Sequence, residues 1–205
     1  MILFLDGGYA ASDSSAMCME SIRENVQQEE LVTVRIDEEM DWNRVCRYLE
    51  DAHAIVLAAD VYLDSVSARV LQFLERVEQA VIDGESIGGK FYAVLCTDLY
   101  EGEQTSVAMG VLKNFCVHAN ITWGRGLGIG GSRASVLSRS RSLWNIFCRS
   151  VTDFRLRVLR EQALFIREKM QGTDVYINPE EVSRKRYIRK MNHELKKINR
   201  AKIAQ

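Results

Sequence analysis

The chain has little of what marks several large classes of protein. Its 205 residues contain one proline, three histidines and no CxxC pair. Its cysteines are odd in number and widely spaced: Cys18, Cys46, Cys96, Cys116 and Cys148. This usage predicts buried thiols in a reducing cytoplasm, and it argues against a disulfide or zinc framework. No metal site is expected.

Long hydrophobic runs are also absent. No stretch reaches the roughly 18 apolar residues that a membrane-spanning helix needs. The opening residues, MILFLDGG, have no basic region before their apolar run. They predict a strand and not a signal peptide. With 47% hydrophobic residues and no internal repeat or low-complexity linker, the chain is typical of one buried globular domain with an appendage.

The formal net charge of −1 is unevenly distributed. Residues 180–205 carry nine Lys and Arg against three Asp and Glu, so the rest of the chain is acidic. We divide the chain into a domain at 1–172 and a basic helical extension at 173–205. The extension could contact nucleic acid, a membrane surface or a partner. The extension has an apolar helical face that consists of Ile188, Met191, Leu195 and Ile198. This face favours docking on the body or on a neighbouring subunit, and nucleic acid is therefore an unlikely partner.

Short apolar runs alternate with helical patterns along the first 130 residues. This alternation predicts a single doubly wound parallel α/β sheet. The predicted strands are 1–5, 31–36, 54–58, 91–96 and a fifth that begins at 121. The predicted helices cover about 15–28, 42–49, 66–77, 105–118 and 144–172, followed by the helix of the extension. The five strands would form one sheet, with binding loops at their carboxyl ends.

The first loop, residues 7–15, is rich in glycine and serine. Free N–H groups at the start of a helix, joined by serine hydroxyls, form a site for a phosphate. The same serines would serve equally as helix caps, and Asp13 opposes the phosphate interpretation by repulsion. The loop after the third strand presents Tyr62, and the loop after the fourth presents Tyr100. Either ring could stack on a planar ligand or be an ordinary partly buried tyrosine.

The order of elements and these three loops resemble the flavodoxin-like NAD(P)H-dependent FMN reductases and quinone reductases. Residues 59–68, ADVYLDSVSA, are similar to the TPVYFGSVSA segment that holds the flavin ring in that family. The first loop takes the place of its GSPRKNSNT phosphate loop. Residues 123–131, WGRGLGIGG, and 176–179, YINP, are similar to its glycine-rich fifth strand and its C-terminal extension. The resemblance implies a flavodoxin-like five-stranded sheet in the order 2-1-3-4-5 with a C-terminal helical extension.

The resemblance also implies a function. FMN would accept a hydride from NADH or NADPH and pass it to a quinone, a flavin or a similar small-molecule acceptor, with no side chain acting as a conventional acid or base. A cytoplasmic homodimer is implied. The residues implied to hold the cofactor are Gly8, Ser12, Ser14 and Ser15 at the phosphate, Ala59, Asp60, Val61 and Tyr62 at the ring, and Thr97, Asp98, Leu99 and Tyr100 at its far edge.

Several departures from the family pattern favour an alternative. Ala59-Asp60 replaces Thr-Pro, which removes a hydroxyl and adds a carboxylate. If that carboxylate pointed inward, it would disfavour negative charge on a reduced flavin. Asp64 replaces a glycine, and Tyr9-Ala10 replaces Pro-Arg. The alternative is a flavodoxin-fold protein that has lost flavin and acts as a non-catalytic binding or scaffold module.

Two further patterns are interpreted as structural. Gly126, Gly128 and Gly131 match GxGxxG, but they follow the fifth strand and not the first. We therefore expect them to permit close packing or turns. Cys96, at the end of the fourth strand, could be redox-active, but an inert buried thiol is expected.

Overall fold

The computed structural model describes residues 1–8, 14–132, 145–179 and 182–203. Parts of two predicted elements lie outside these ranges, namely most of the first loop, including Ser12 and Asp13, and Trp144 at the start of the long helix. No helix in the described ranges is long and apolar enough to cross a membrane.

The described strands form one sheet in the order β2-β1-β3-β4-β5-β6, and every neighbouring pair is parallel. The strands are β1 (Ile2–Asp6), β2 (Leu31–Arg35), β3 (Ala54–Asp60), β4 (Lys90–Cys96), β5 (Thr122–Ile129) and β6 (Val175–Ile177). The predicted order 2-1-3-4-5 is confirmed for the first five strands.

The prediction of five strands is wrong by one. Val175–Ile177 pairs with Leu127–Ile129 and adds a sixth strand beyond β5. Three residues are too few to show a period of two, so no alternation in the sequence marks this strand. The sixth strand lies beyond residue 172 in the chain, where the sequence predicts only a helical extension.

In the residues that the structure describes, six α-helices connect and flank the strands. They are α1 (Ser14–Glu24), α2 (Trp42–Asp51), α3 (Ala68–Ile82), α4 (Ser106–His118), α5 (Asn145–Arg167) and α6 (Arg184–Ile203), and a short 3-10 turn, Gly102–Thr105, precedes α4. Ser67 is the N-cap of α3, because its Oγ accepts a bond from the N–H of Val70.

The strands β1, β3 and β4 are buried on both faces because helices cover both sides of the sheet. On β1, Leu3 and Leu5 pack in one cluster with α2, α3 and α4. Ile2 and Phe4 point to the opposite cluster, which α1 and α5 complete. This two-sided burial explains why these three strands are continuous apolar runs and not alternating ones.

The glycines of β5 lie inside the strand, which extends from Thr122 to Ile129. A Cβ on Gly128 would collide with the hydroxyl of Thr105 and the ring of Tyr176. Gly131 has φ of +58° and makes the turn that follows. The interpretation of these residues as packing and turn positions is therefore confirmed.

The C-terminal extension packs against the body through Tyr187 of α6. The hydroxyl of Tyr187 donates a 2.5 Å bond to the carbonyl of Asp98, and its ring meets that of Tyr100 edge-on. Tyr187 is 5% exposed, whereas Ile188 of the predicted apolar face is 38% exposed. Tyr187 was not part of the predicted face, but Met191 of that face packs in the same cluster as Tyr187.

Candidate functional site

The loops that follow β1, β3 and β4 lie side by side at the carboxyl edge of the sheet. Asp6, the last residue of β1, pairs with Ala58 of β3. Beyond β3, the N–H of Val61 donates to the carbonyl of Cys96 at 2.7 Å, and the N–H of Thr97 donates to Ile129 at 2.9 Å. The strand ends are therefore tied to one another, and the loops that leave them form one continuous surface.

The segment after β3 forms a tight, exposed turn. The N–H groups of Tyr62 and Ser65 each donate to the other's carbonyl, at 2.9 and 3.1 Å. The central residues, Leu63 and Asp64, have φ of +49° and +64°, as a type I′ turn requires. Asp64, which stands where the family pattern has a glycine, adopts this left-handed conformation. The side chains of Tyr62 and Leu63 are 50% and 98% exposed.

The loop after β4 is held by hydrogen bonds that involve the side chains of Thr97, Asp98 and Ser132. Thr97 is buried, and its hydroxyl accepts a bond from the N–H of Leu99 at 3.2 Å. The Asp98 carboxylate accepts a 3.2 Å bond from the hydroxyl of Ser132. Leu99 is 54% exposed. The loop is therefore fixed in the protein while the apolar side chain of Leu99 is half exposed, in a groove that it shares with Tyr187 and Met191.

At the other end of the site, the hydroxyl of Ser15 donates a 2.6 Å bond to the carboxylate of Asp60. Both residues are buried, and Ser15 is fully so. The backbone N–H of Gly8 donates to the carboxylate of Asp6 at 3.0 Å. Ser14 begins α1 and is also buried. Two of the donors predicted for a phosphate are thus bonded to carboxylates of this chain.

Two arginines from distant parts of the chain bring positive charge to this edge. Arg35 lies 3.6 Å from the carboxylate of Asp6. Arg155 of α5 is buried and donates 2.8 Å bonds to the carbonyls of Gly130 and Gly131, while its Nε has no hydrogen-bond partner among the described residues. Sequence reasoning missed both: Arg35 lies near the carboxyl end of the second predicted strand, whose loop was not among those considered, and Arg155 lies inside the long predicted helix.

Cys18 and Cys96 form a pair that sequence reasoning also missed. Their sulfur atoms are 3.8 Å apart, and the Cys96 thiol is the donor. This hydrogen bond lowers the pKa of Cys18, and the positive charge of Arg155 adds to the effect. The pKa of Cys96 is raised by the same bond and by burial. A signal existed for Cys18, since it is three residues after Ser15 and shares its helix face.

A planar flavin fits one end of this site better than the other. The exposed Tyr62 turn and the loop at Thr97 offer a ring-binding surface with backbone groups at its margin. At the phosphate end, Ser15 and Gly8 already donate to Asp60 and Asp6. Two of the donors predicted for the phosphate are therefore already committed within the protein. In the described ranges, no cluster of three metal-ligating side chains occurs.

No protein-family model matches the chain, and no curated protein matches it by sequence. Solved structures do. An NADPH-quinone reductase from P. pentosaceus is similar with a TM-score of 0.59 and 13% identity, over 80% of this chain and 97% of that one. An FMN-dependent NADH-azoreductase from Bacillus anthracis, solved with FMN, has a TM-score of 0.59 and 10% identity, over 79% of this chain and 96% of that one. A WrbA-like flavodoxin from Agrobacterium tumefaciens has a TM-score of 0.56 and 11% identity, over 82% of this chain and 94% of that one.

The chain has a flavodoxin-like fold. This agrees with the resemblance stated from the loop sequences. At 10–13% identity the similarity shows a shared fold, and it does not show shared side chains at the site.

Proposed function

We propose that the protein is a flavin-dependent NAD(P)H oxidoreductase that passes reducing equivalents to a quinone, a flavin or a similar acceptor. The observation that carries the proposal is the hydrogen-bonded turn at Tyr62–Ser65, which stands beside the loop at Thr97–Tyr100. A preformed surface with an exposed tyrosine at the carboxyl edge of the sheet is suited to a planar ring. Solved structures of similar fold include reductases of this kind.

The chain's own residues would bind and orient the cofactor. Tyr62 would contact the ring, and backbone groups at Val61 and Thr97 would face its edge. Leu99 would exclude water from one side. Bound FMN would supply the hydride chemistry, so no acid or base is needed from the protein. A homodimer and a cytoplasmic location are expected from the resemblance.

The visible absorbance spectrum tests this proposal. The purified protein is measured before and after addition of FMN and removal of the excess. We expect retained, stoichiometric flavin absorbance that bleaches on addition of NADH or NADPH. Flavin that is retained but is reduced by neither nucleotide would support binding and contradict the reductase.

A second candidate function is a flavin-free binding or scaffold module on the same fold. The buried bond from Ser15 to Asp60 favours it, because a carboxylate and a committed hydroxyl stand where the phosphate would be held. A protein that stays colourless in high micromolar FMN would support this candidate and overturn the first.

A further inference from the structure

Two thiols lie in contact where α1 packs on β4. Cys18 is on α1, which packs on β3, β4 and α5, and Cys96 is the last residue of β4. Their sulfur atoms are 3.8 Å apart. A disulfide bond is about 2.05 Å long, so the sulfurs need to approach by about 1.8 Å. A rotamer change at Cys18, at the helix surface, is a movement of this kind.

The surroundings of the pair differ from those of the other described thiols. Cys96 is fully buried and donates its S–H to Cys18, which is partly exposed. The guanidinium of Arg155 acts electrostatically on both sulfurs, and its buried Nε has no hydrogen-bond partner among the described residues. The bond from Cys96 and this cation lower the pKa of Cys18, burial and the Asp60 carboxylate oppose them, and the net shift of the pKa is downward. Cys116, by contrast, is buried without such a neighbour, and burial raises its pKa to about 12.

We infer that Cys18 and Cys96 are a peroxide-oxidisable dithiol that closes an intramolecular disulfide between α1 and β4. The inference rests on the contact of the two sulfurs beside a buried arginine, and it does not depend on flavin binding. It assigns to the chain a redox site in addition to the proposed flavin site.

The chemistry balances with a hydroperoxide as the oxidant. The Cys18 thiol first gives its proton to solvent. The thiolate then attacks the peroxide, an S–O bond forms, the O–O bond breaks, and the leaving alkoxide or hydroxide takes a proton from solvent to become an alcohol or water. The Cys96 sulfur then attacks the Cys18 sulfenic acid. The S–S bond forms, the S–O bond breaks, and hydroxide leaves as water with the Cys96 proton. Two electrons and two protons leave the dithiol, and two equivalents of a small-molecule thiol restore it by exchange and become a disulfide.

The test uses the reduced, full-length protein treated with one equivalent of hydrogen peroxide. We expect the count of free thiols, measured after denaturation without reductant, to fall from five to three. Peptide mapping should find a Cys18–Cys96 crosslinked peptide with a mass loss of about 2 Da. Addition of dithiothreitol should restore all five thiols.

Variants separate the roles of the two sulfurs. Cys96→Ala should accumulate a Cys18 sulfenic acid that dimedone traps, and Cys18→Ser should keep its remaining thiols. Cys116→Ser, a buried thiol away from the pair, is the matched control and should form the crosslink as the parent does. The inference is overturned if peroxide oxidises the parent protein without a Cys18–Cys96 peptide, or if Cys18 stays reduced. Peptide mapping of the parent decides the question even if a variant fails to fold.

Discussion

The hydroxyl of Ser15 donates a 2.6 Å hydrogen bond to the carboxylate of Asp60, and this buried contact joins the start of α1 to the end of β3. It places a carboxylate at the point where the family resemblance implies a phosphate site. A carboxylate repels a phosphate and also occupies the hydroxyl that would bind it. The first candidate function requires a phosphate to bind beside this contact, whereas the second does not.

Asp60→Asn should therefore strengthen FMN binding. It removes one negative charge from the phosphate end while keeping a group that can bond to Ser15. We expect the dissociation constant for FMN to fall by about fivefold, or about 1 kcal/mol, in a fluorescence titration. Riboflavin, which has no phosphate, is the matched ligand and should bind both proteins equally. An equal change for both ligands would show that Asp60 acts on the ring and not on the phosphate.

Tyr62→Ala should weaken flavin binding if the exposed ring stacks on the cofactor. The loss of an aromatic contact corresponds to about 1–2 kcal/mol. This predicts a dissociation constant for FMN raised by about 5- to 30-fold. Tyr62→Phe keeps the ring and should bind nearly as the parent does. An unchanged constant in the alanine variant would remove Tyr62 from the site.

Leu63→Asn should stabilise the fold. Leu63 has φ of +49°, a left-handed conformation that costs a branched apolar residue about 1–2 kcal/mol and that asparagine tolerates. Because the Leu63 side chain is 98% exposed, the substitution removes almost no buried surface. We expect the free energy of unfolding in urea to rise by about 0.5–1 kcal/mol. Leu164→Asn, at an exposed position of α5 (42% exposed), should not stabilise the protein.

The pH dependence of alkylation should distinguish Cys18 from the other thiols. The bond from Cys96 lowers the pKa of Cys18, so its thiolate persists to lower pH than that of an ordinary cysteine. Iodoacetamide labelling, followed by mass spectrometry, should give a reaction midpoint for Cys18 below that of an unperturbed thiol. Cys96→Ala removes the donor and should move this midpoint upward. A midpoint that does not move would mean that the bond is not what lowers the pKa.

Gly128→Ala should destabilise the protein strongly. A Cβ at this position meets Thr105, Tyr176 and the carbonyl of Gly102, and overpacking of a close-packed interior costs about 1–3 kcal/mol. Gly110→Ala is the matched control, because a Cβ there has no atom within 4 Å in the middle of α4. That substitution should stabilise by about 0.5–1 kcal/mol through helix propensity. Thermal and urea unfolding of the two variants measure both effects.

The sheet was predictable because its strands are buried on both faces. Runs such as Ala54–Ala58 are apolar throughout, and each is followed by a helical pattern, which together specify a parallel α/β sheet. The sixth strand was not predictable, because Val175–Ile177 is too short to show a period. Its place depends on contacts with β5, which lies some fifty residues earlier in the chain.

The candidate site was predictable in its location and not in its bonding. The loops of Tyr62 and Thr97 follow the carboxyl ends of neighbouring parallel strands, so the topology alone brings them together. The bond from Ser15 to Asp60 depends on how the start of α1 approaches the end of β3, which no local pattern specifies. The contribution of Arg155 depends on α5 returning across the sheet, and nothing in the sequence near Arg155 marks it.

The short strand β6 determines how the sheet ends. By pairing with Leu127–Ile129, it covers backbone groups of β5 that would otherwise form an open edge. The carboxylate of Asp174, just before β6, accepts bonds from the Trp123 indole at 3.0 Å and the Gly126 N–H at 2.9 Å. A chain cut at residue 172 would lose these contacts and expose a glycine-rich strand to self-association. We therefore expect the residues after 172 to prevent edge-to-edge aggregation of the protein.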